Sequence, residues 1–407
     1  MSTSLLYHGF GIRGYQYVKT EYKGGKVLFT VCQEPDTLRC AACGSRRVIR
    51  RGSCPRRFRS LPIGSHPVQT LLAVPRVGCQ DCGVVRQVSV GFADARRSYT
   101  RAFDRYVLEL SRRMTIQDVA HHLQVSWDVV KDIQKRSLTR RFRNIPLKQL
   151  RQIAIDEIAI GRGHRYLTVV LDLVSGAVVF IGDGKGAQAL KPFWKRLRRA
   201  RAAIEAVATD MSPAYISAVL THLPRAVLVF DHFHIIKLFN EKLSDLRRDL
   251  YREATEQLHK DVLKGTRWLL LKNPENLDET RDEPRRLREA LKLNEPLATA
   301  YYLKEDLRQL WEQPDKATAQ RVLERWIRRA ESSGIRMLKT FANTLAAHRN
   351  QILNFYDYPI STGPLEGTNT KIRVLQRQAY GFRDIEFFKL RIYALHETRF
   401  ELVGGVN

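Results

Sequence analysis

Residues 151–182 read RQIAIDEIAIGRGHRYLTVVLDLVSGAVVFIG. Three runs rich in β-branched and apolar residues, 151–160, 165–173 and 176–182, are separated by turn residues, which predicts three consecutive strands. A basic helix follows in GAQALKPFWKRLRRARA, then the strand IEAVATD ending at Asp210 and a helix opening at Ser212-Pro213. A further apolar strand, AVLVFD, ends at Asp231 and runs into the helix HFHIIKLFNEKL. The order β-β-β-α-β-α-β-α describes a mixed α/β sheet with an antiparallel opening.

This frame sets out the acids. Asp156 and Glu157 stand inside the first strand among IAI and IAI, where a carboxylate is costly unless a cation or hydrogen bonds compensate. Successive strand side chains point to opposite faces, so Glu157 turns away from Asp156 and takes a supporting or structural role. Asp210 closes the fourth strand, and adjacent strands can bring it beside Asp156 as a hard-oxygen Mg²⁺ site. Asp231 also ends a strand and rivals Asp210. His234, three residues on, shares a helix face with it, and a buried Asp–His pair is the expected role, because Mg²⁺ prefers oxygen to imidazole. Asp172 and Asp183, also near strand ends, read as structural.

Residues 235–350 are helical in pattern and are divided by Pro274, Pro284 and Pro296. Trp268, in KGTRWLLLKN, reads as a core residue. The stretch STGPLEGTNTKIRVLQR (361–377) then turns at Gly363-Pro364 into a helix. Glu366, Asn369, Arg373 and Arg377 recur at spacings of 3, 4 and 4 and share one face, a carboxylate followed by a polar and basic stripe that can grip a DNA backbone, with Lys371 beside it.

All six cysteines fall in the first 82 residues. Cys40-Ala-Ala-Cys43-Gly and Cys79-Gln-Asp-Cys82-Gly form matched knuckles with 35 residues between them, and four thiolates complete one closed, structural tetrahedral Zn²⁺ site. The intervening segment reads as short strands broken by Gly and Pro, a zinc ribbon. Cys32 and Cys54 read as packing residues. Arg46, Arg47, Arg50, Arg51, Arg56, Arg57 and Arg59 crowd around the ribbon and favour nucleic-acid contact.

From Leu110 the sequence LSRRMTIQDVAHHLQVSWDVVKDIQKR predicts a helix capped by Thr115, a turn at Val125, and a second helix capped by Ser126. The pattern is that of a helix-turn-helix whose second helix enters the major groove, with Trp127, Lys131 and Lys135 outward. A basic helix carrying Arg196 and Arg199 offers a second DNA-facing surface.

Lys plus Arg number 69 against 42 Asp plus Glu, a formal charge of +27, which calls for a polyanionic partner, and nucleic acid is the commonest. No run approaches a membrane span, the N-terminus lacks a signal-peptide pattern, and a cytoplasmic, nucleoid-associated location with no membrane partner is expected. The expected domains are a zinc ribbon over 1–95, a helix-turn-helix over 96–148, the first part of a catalytic domain over 149–240, a helical insertion over 241–345, and the second part over 346–407.

Three separated acids with an E-x6-R helix resemble a DDE transposase catalytic domain. The IDE at 155–157, TDMSPAY at 209–215, VFDHFHIIK at 229–237 and STGPLEGTNTKIR…AYGFRD at 361–384 resemble, more narrowly, the ISL-three family of bacterial insertion-sequence transposases. The resemblance implies an α/β fold with a ribonuclease-H-like mixed sheet and a helical insertion, preceded by a zinc ribbon and a helix-turn-helix. It implies Asp156, Asp210 and Glu366 as the triad, holding two Mg²⁺ or Mn²⁺ ions. It implies metal-dependent cleavage of double-stranded DNA at terminal inverted repeats and transfer into target DNA by a homodimer or larger assembly. The Asp231…His234 segment resembles a D-x-x-H motif that follows the second acid in related transposases. Two rivals share parts of this pattern: a zinc-containing DNA-binding regulator without chemistry, and a structure-specific nuclease on the same fold.

Overall fold

The computed structural model describes residues 5–161, 163, 165–255, 262–264 and 266–396. The chain divides into two units, Met1–Arg143 and Asn144–Asn407.

In the first unit a one-turn helix, α1 (Leu5–His8), precedes strands β1 (Gln16–Lys23), β2 (Lys26–Cys32), β3 (Val48–Ile63), β4 (His66–Cys79) and β5 (Val85–Gln87). They form one sheet in the order β1-β2-β4-β3, with β5 also paired to β4. The short strands expected between the cysteine pairs are instead one long hairpin, of 16 and 14 residues. The chain accommodates its Gly and Pro residues inside that hairpin. Gly52 (φ +95°) lies at a register shift between Arg50 and Ser53, and Pro75 sits opposite Ser53 at that shift. A bulge tolerates a residue without an amide proton, so these breakers bend the ladder without ending it. Phe29, Phe58, Leu72, Val74 and Phe92 fill the core beneath it.

Three helices follow, α2 (Arg101–Leu110), α3 (Ile116–Leu123) and α4 (Trp127–Phe142). Phe103, Val107, Val119, Leu123, Val130 and Ile133 form their buried cluster. The amide of Arg59 in β3 donates to Ser98 and its carbonyl accepts from Thr100, both at 2.8 Å. Those bonds fasten the helices to the sheet, and both lie in one unit.

The second unit is built on β6 (Gln152–Gly161), β7 (Arg165–Asp172), β8 (Val178–Asp183), β9 (Ala206–Thr209) and β10 (Val227–Phe230), in the order β10-β9-β6-β7-β8. The first three pair antiparallel, and β9 and β10 join parallel on the other side of β6. The predicted mixed α/β sheet is therefore present. Helices α5 (Ala187–Ala200) and α6 (Pro213–His222) connect the later strands, and α7 (His232–Glu253) follows the last of them. The helical region continues through α8 (Arg267–Leu271), α9 (Glu283–Lys292), α10 (Glu295–Arg308), α11 (Lys316–Ser332), α12 (Arg336–Ala347) and α13 (Arg349–Leu353). Helices α14 (Gly363–Gln378) and α15 (Ile385–Tyr393) complete the unit.

Strand alternation separates two cores. Ile153 and Ile155 pack with Phe193, Trp194 and Tyr215 on one face, in a cluster that runs on into the helical region. Ala154 and Ile158 pack with Leu365, Ile372 and Phe388 on the other. The side chain of Asp156 thus turns toward α14, and that of Glu157 toward α6.

Candidate active site and DNA-facing surfaces

The register of β6 and β9 pairs Ala154 with Ala208 in parallel. Two residues further, Asp156 and Asp210 fall side by side where β9 ends, at the C-terminal edge where open α/β sheets bind ligands. Asp156 accepts the Glu157 amide (2.8 Å) and the Asn369 side-chain amide (2.8 Å). Burial pushes its pKa up to about 6, opposed by the Glu157 amide and the charge of His234 and reinforced by the charges of Asp210 and Glu157. A half-buried Asp210 accepts the Ser212 amide at 3.0 Å.

Asp231 is fixed differently. Its side chain is 0% exposed and accepts from the Phe233 amide (3.2 Å), from His234 Nδ1 (3.1 Å) and from the Thr362 hydroxyl. Burial opposes ionisation, but these donors hold its carboxyl below the usual range. The His234 Nε2 then faces Glu366 Oε1 at 3.8 Å. Burial disfavours the charged ring, yet the bond to Asp231 and the charges of Asp231, Asp156 and Asp210 raise its pKa. Donor atoms of Asp231, His234 and Glu366 lie within 4.8 Å of one another. That proximity is a hydrogen-bonded chain as much as a metal cage, since both Asp231 oxygens are engaged by protein donors.

The supporting roles of three residues escaped the sequence reading. The Tyr215 hydroxyl, fully buried, donates to Glu157 Oε2 at 2.7 Å and lies 3.2 Å from the Thr168 hydroxyl. Thr362 closes the Asp231–His234 pair. Asn369, expected to touch DNA, is 6% exposed and bonded to Asp156, while its Oδ1 is buried without a hydrogen-bond partner. The helical spacing of Glu366 and Asn369 was visible in the sequence, but which member of the stripe turns inward depends on how α14 docks on β6. Lys371, Arg373 and Arg377 are exposed.

In the first unit the cysteine knuckles are twins. Gly44 (φ +79°) and Gly83 (φ +67°) close them, donating to the carbonyls of Cys40 (2.9 Å) and Cys79 (3.1 Å). Cys40 Sγ lies 3.7 Å from Cys82 Sγ, and Cys43 Sγ 3.5 Å from Cys79 Sγ. All four sulfurs lie within 4.8 Å of one another. A disulfide needs about 2.05 Å, whereas sulfurs at about 2.3 Å around a tetrahedral ion sit roughly 3.8 Å apart. The Cys43 and Ala42 amides draw the Cys40 thiol pKa down to about 6, and the Cys82 amide lowers that of Cys79. Cys32 and Cys54 are exposed, not packed: Cys32 falls on an outward position of β2, and Cys54 lies in the stretch Ile49–Pro55 of β3 that is exposed on both faces.

Thr115 caps α3 as expected, within a capping box shared with Asp118, whereas Ser126 stands at the cap of α4 without a side-chain bond. Trp127 on α4 is exposed with Lys131 5.2 Å from its ring, and Lys135 is half-buried one turn further. On α5, Arg199 is exposed, but Arg196 is half-buried and donates to the Ile145 carbonyl. Trp268 corrects the core reading: it is 66% exposed beneath the Arg267 guanidinium, while its neighbours Leu269 and Leu270 take the buried positions of α8. Asp172 caps a turn through Ser175, and Asp183 pairs with Lys389, both structural as read. Among the described residues no helix is long and apolar enough to cross a membrane.

Comparison with known proteins accords with this arrangement. A family model described as a transposase matches residues 153–392, and one described as the helix-turn-helix domain of transposase family ISL3 matches residues 88–138. The chain is 34% identical to the transposase for insertion sequence element IS1001 of Bordetella parapertussis, over 87% of this chain and 88% of that protein. It is 32% identical to the transposase for IS1557 of Mycobacterium tuberculosis, over 88% and 86%. Among solved structures, the Drosophila P element transposase strand transfer complex aligns at a TM-score of 0.42 and 10% identity, over 74% of this chain and 92% of that one, too loosely to bear on the fold. From the family models and the two relatives matched over most of their length, this chain belongs to the ISL3 family of transposases and carries that family's helix-turn-helix.

Proposed function

We propose that the chain cuts and joins DNA at the ends of an insertion sequence, using Asp156, Asp210 and Glu366 as metal ligands on a ribonuclease-H-like sheet. The observation that carries this reading is the parallel register that sets Asp156 beside Asp210, with α14 bringing Glu366 and Asn369 to the same edge. The strand order, three antiparallel strands flanked by two parallel ones next to the first, agrees with a ribonuclease-H-like sheet. Asp210 is preferred to Asp231 as the second acid because, among the described residues, only one Asp210 oxygen accepts a hydrogen bond, while Asp231 gives both to protein donors.

The donor set suits Mg²⁺ or Mn²⁺: hard carboxylate oxygens, among them one whose pKa burial raises, and the orphan Asn369 Oδ1. When bound, two such ions supply an activated water or 3′-hydroxyl and stabilise the attacking and leaving oxygens of each in-line displacement. The protein's own part is positioning. Asn369 and the Glu157 amide fix the Asp156 carboxylate, and the buried Asp231 orients His234 so that its Nε2 faces Glu366. Tyr215 holds Glu157 against the far side of the strand. Lys371, Arg373 and Arg377 offer cations to phosphates along α14.

The four cysteines fit one structural Zn²⁺ with no open position, and the helix-turn-helix fits the reading of terminal inverted repeats, with Trp127, Lys131 and Lys135 toward the groove. Synapsis of two ends implies a dimer or larger assembly on DNA in a cytoplasmic, nucleoid-bound setting. The test is incubation of the purified chain with Mg²⁺ or Mn²⁺ and DNA from either flank of its gene, beside Asp156→Ala and Asp210→Ala. Cuts at a repeat boundary with joined products from the unsubstituted chain alone support the reading. Cuts without joining point to a nuclease, and binding without cuts to a regulator.

A further inference from the structure

Helix α14 ends in a Schellman turn: the Gly381 amide donates to the Gln376 carbonyl (2.9 Å) and the Tyr380 amide to the Arg377 carbonyl (3.0 Å). The apical residue of that turn takes positive φ and is usually glycine. Here it is Tyr380, at φ +51°, even though a glycine follows at 381. Among the described residues Tyr380 is the only aromatic one at positive φ; the other non-glycine cases are Arg96, Gln124, Arg201 and Asp282. A large side chain is disfavoured in that region, and persists where something offsets the strain. No described residue does so by packing, for Tyr380 is 101% exposed. The turn therefore holds a phenol ring out in water at a conformational cost, which points to an external partner for the ring.

The surroundings name the partner's chemistry. Lys371, Arg373 and Arg377 are exposed on α14 and Arg383 lies just beyond the turn, and none of them is ion-paired among the described residues. The nearby acids are engaged locally, Asp384 in capping α15 and Glu386 in pairing with Lys389. A ring on a rim of unneutralised cations suits a strand of nucleic acid, whose backbone takes the charges and whose bases take the ring. Along the helix, Tyr380 stands 14 residues from Glu366, about 21 Å at 1.5 Å per residue. That span is roughly six base pairs of duplex at 3.4 Å each.

We propose that Tyr380 is an aromatic wedge that packs against a base of the DNA lying along α14, about six base pairs from the bond to be cut. The inference rests on the reading of Glu366 as the third acid of the site. The test uses the full chain and a flanking-DNA fragment from its own gene, with Asp156→Asn to hold the complex uncut and permanganate to mark unstacked thymines. The expected result is a hyperreactive position about six base pairs from the cut made by the unsubstituted chain. That reactivity should persist in Tyr380→Phe and vanish in Tyr380→Ala and Tyr380→Gly, with cleavage in the Asp156-containing chain falling about ten- to hundredfold. Tyr380→Gly relieves the backbone, so its melting temperature should hold or rise, and its loss of cutting cannot be unfolding. Unchanged reactivity and cutting in Tyr380→Gly overturn the wedge, as does a bound complex with no unstacked base. A variant that loses only self-association also overturns it, in favour of a second copy as partner. Failure of the unsubstituted chain to bind or cut at all is a separate result: it removes the catalytic reading, and the wedge with it.

Discussion

The sulfur cluster of the first unit and the carboxylate cluster of the second gather metal-ligating groups by opposite means. Each cysteine knuckle is a local turn closed by its own glycine, and one hairpin brings the two together. The result is symmetric, with every sulfur within 4.8 Å of the rest and no position left for a substrate. The carboxylates come from β6, the end of β9, the start of α7 and α14, up to 210 residues apart, and each rests on a different set of donors. A site made of repeated turns is suited to holding a fold. One assembled from strand ends and a docked helix leaves an open, uneven face on which chemistry can occur.

The largest effect should come from dismantling the symmetric site. Structural zinc in small domains carries about 10–16 kcal/mol of apparent binding energy, so Cys40→Ala or a strong chelator should unfold the ribbon and abolish DNA binding. Metal analysis should find one zinc per chain beforehand, and a metal-free chain that binds DNA normally would sink the idea. Next is the open site, where Asp156→Asn should lower cleavage by about a thousandfold or more while leaving DNA affinity within a few fold. Equal loss of binding would make Asp156 a fold residue and erase the contrast between the clusters.

Asp231→Ala leaves half-buried His234 and buried Thr362 without their shared acceptor and should cost about 3–5 kcal/mol, read as a fall in melting temperature. If it instead abolishes cleavage with no loss of stability, Asp231 and not Asp210 is the second acid. The pH response sharpens the point. Asp156 has a folded pKa of about 6, above its ordinary 3.8, so the folded state keeps this proton longer than the unfolded chain. Its contribution is favourable below about pH 4, is lost as pH rises through 6, and amounts to about 3 kcal/mol. Mg²⁺ compensates the ionised form, so its stabilisation of the chain should be greater at pH 7.5 than at pH 5, by calorimetry. An equal increment at both values would leave Asp156 outside the metal site. The smallest effect compares two helix caps: Thr115→Ala should cost about 1 kcal/mol and Ser126→Ala clearly less, since only Thr115 makes the capping bond. Equal losses in denaturant titration would contradict the caps as described.

Patterns with short periods were readable from residues alone. Alternation over 151–182 yielded the strands, CxxCG the knuckles, T-x-x-D the first cap of the helix-turn-helix, and the 3-4-4 spacing the common face of Glu366, Asn369, Arg373 and Arg377. Opposite directions for Asp156 and Glu157 followed from the same alternation. What depended on docking was not readable. Tyr215 lies 58 residues from Glu157 and Thr362 lies 131 from Asp231, and nothing local to either residue marks its partner. Trp268 misled for the same reason, because a helix of five residues cannot declare which side meets the core. Asn369 and Arg373 share a face in sequence, yet one is buried against Asp156 and the other exposed, because only the side of α14 that packs along β6 is covered. Local geometry repeats over two to four residues and is written in neighbouring side chains, whereas the choice of partner across a sheet belongs to packing of the whole unit, where volume and unsatisfied polar groups decide together.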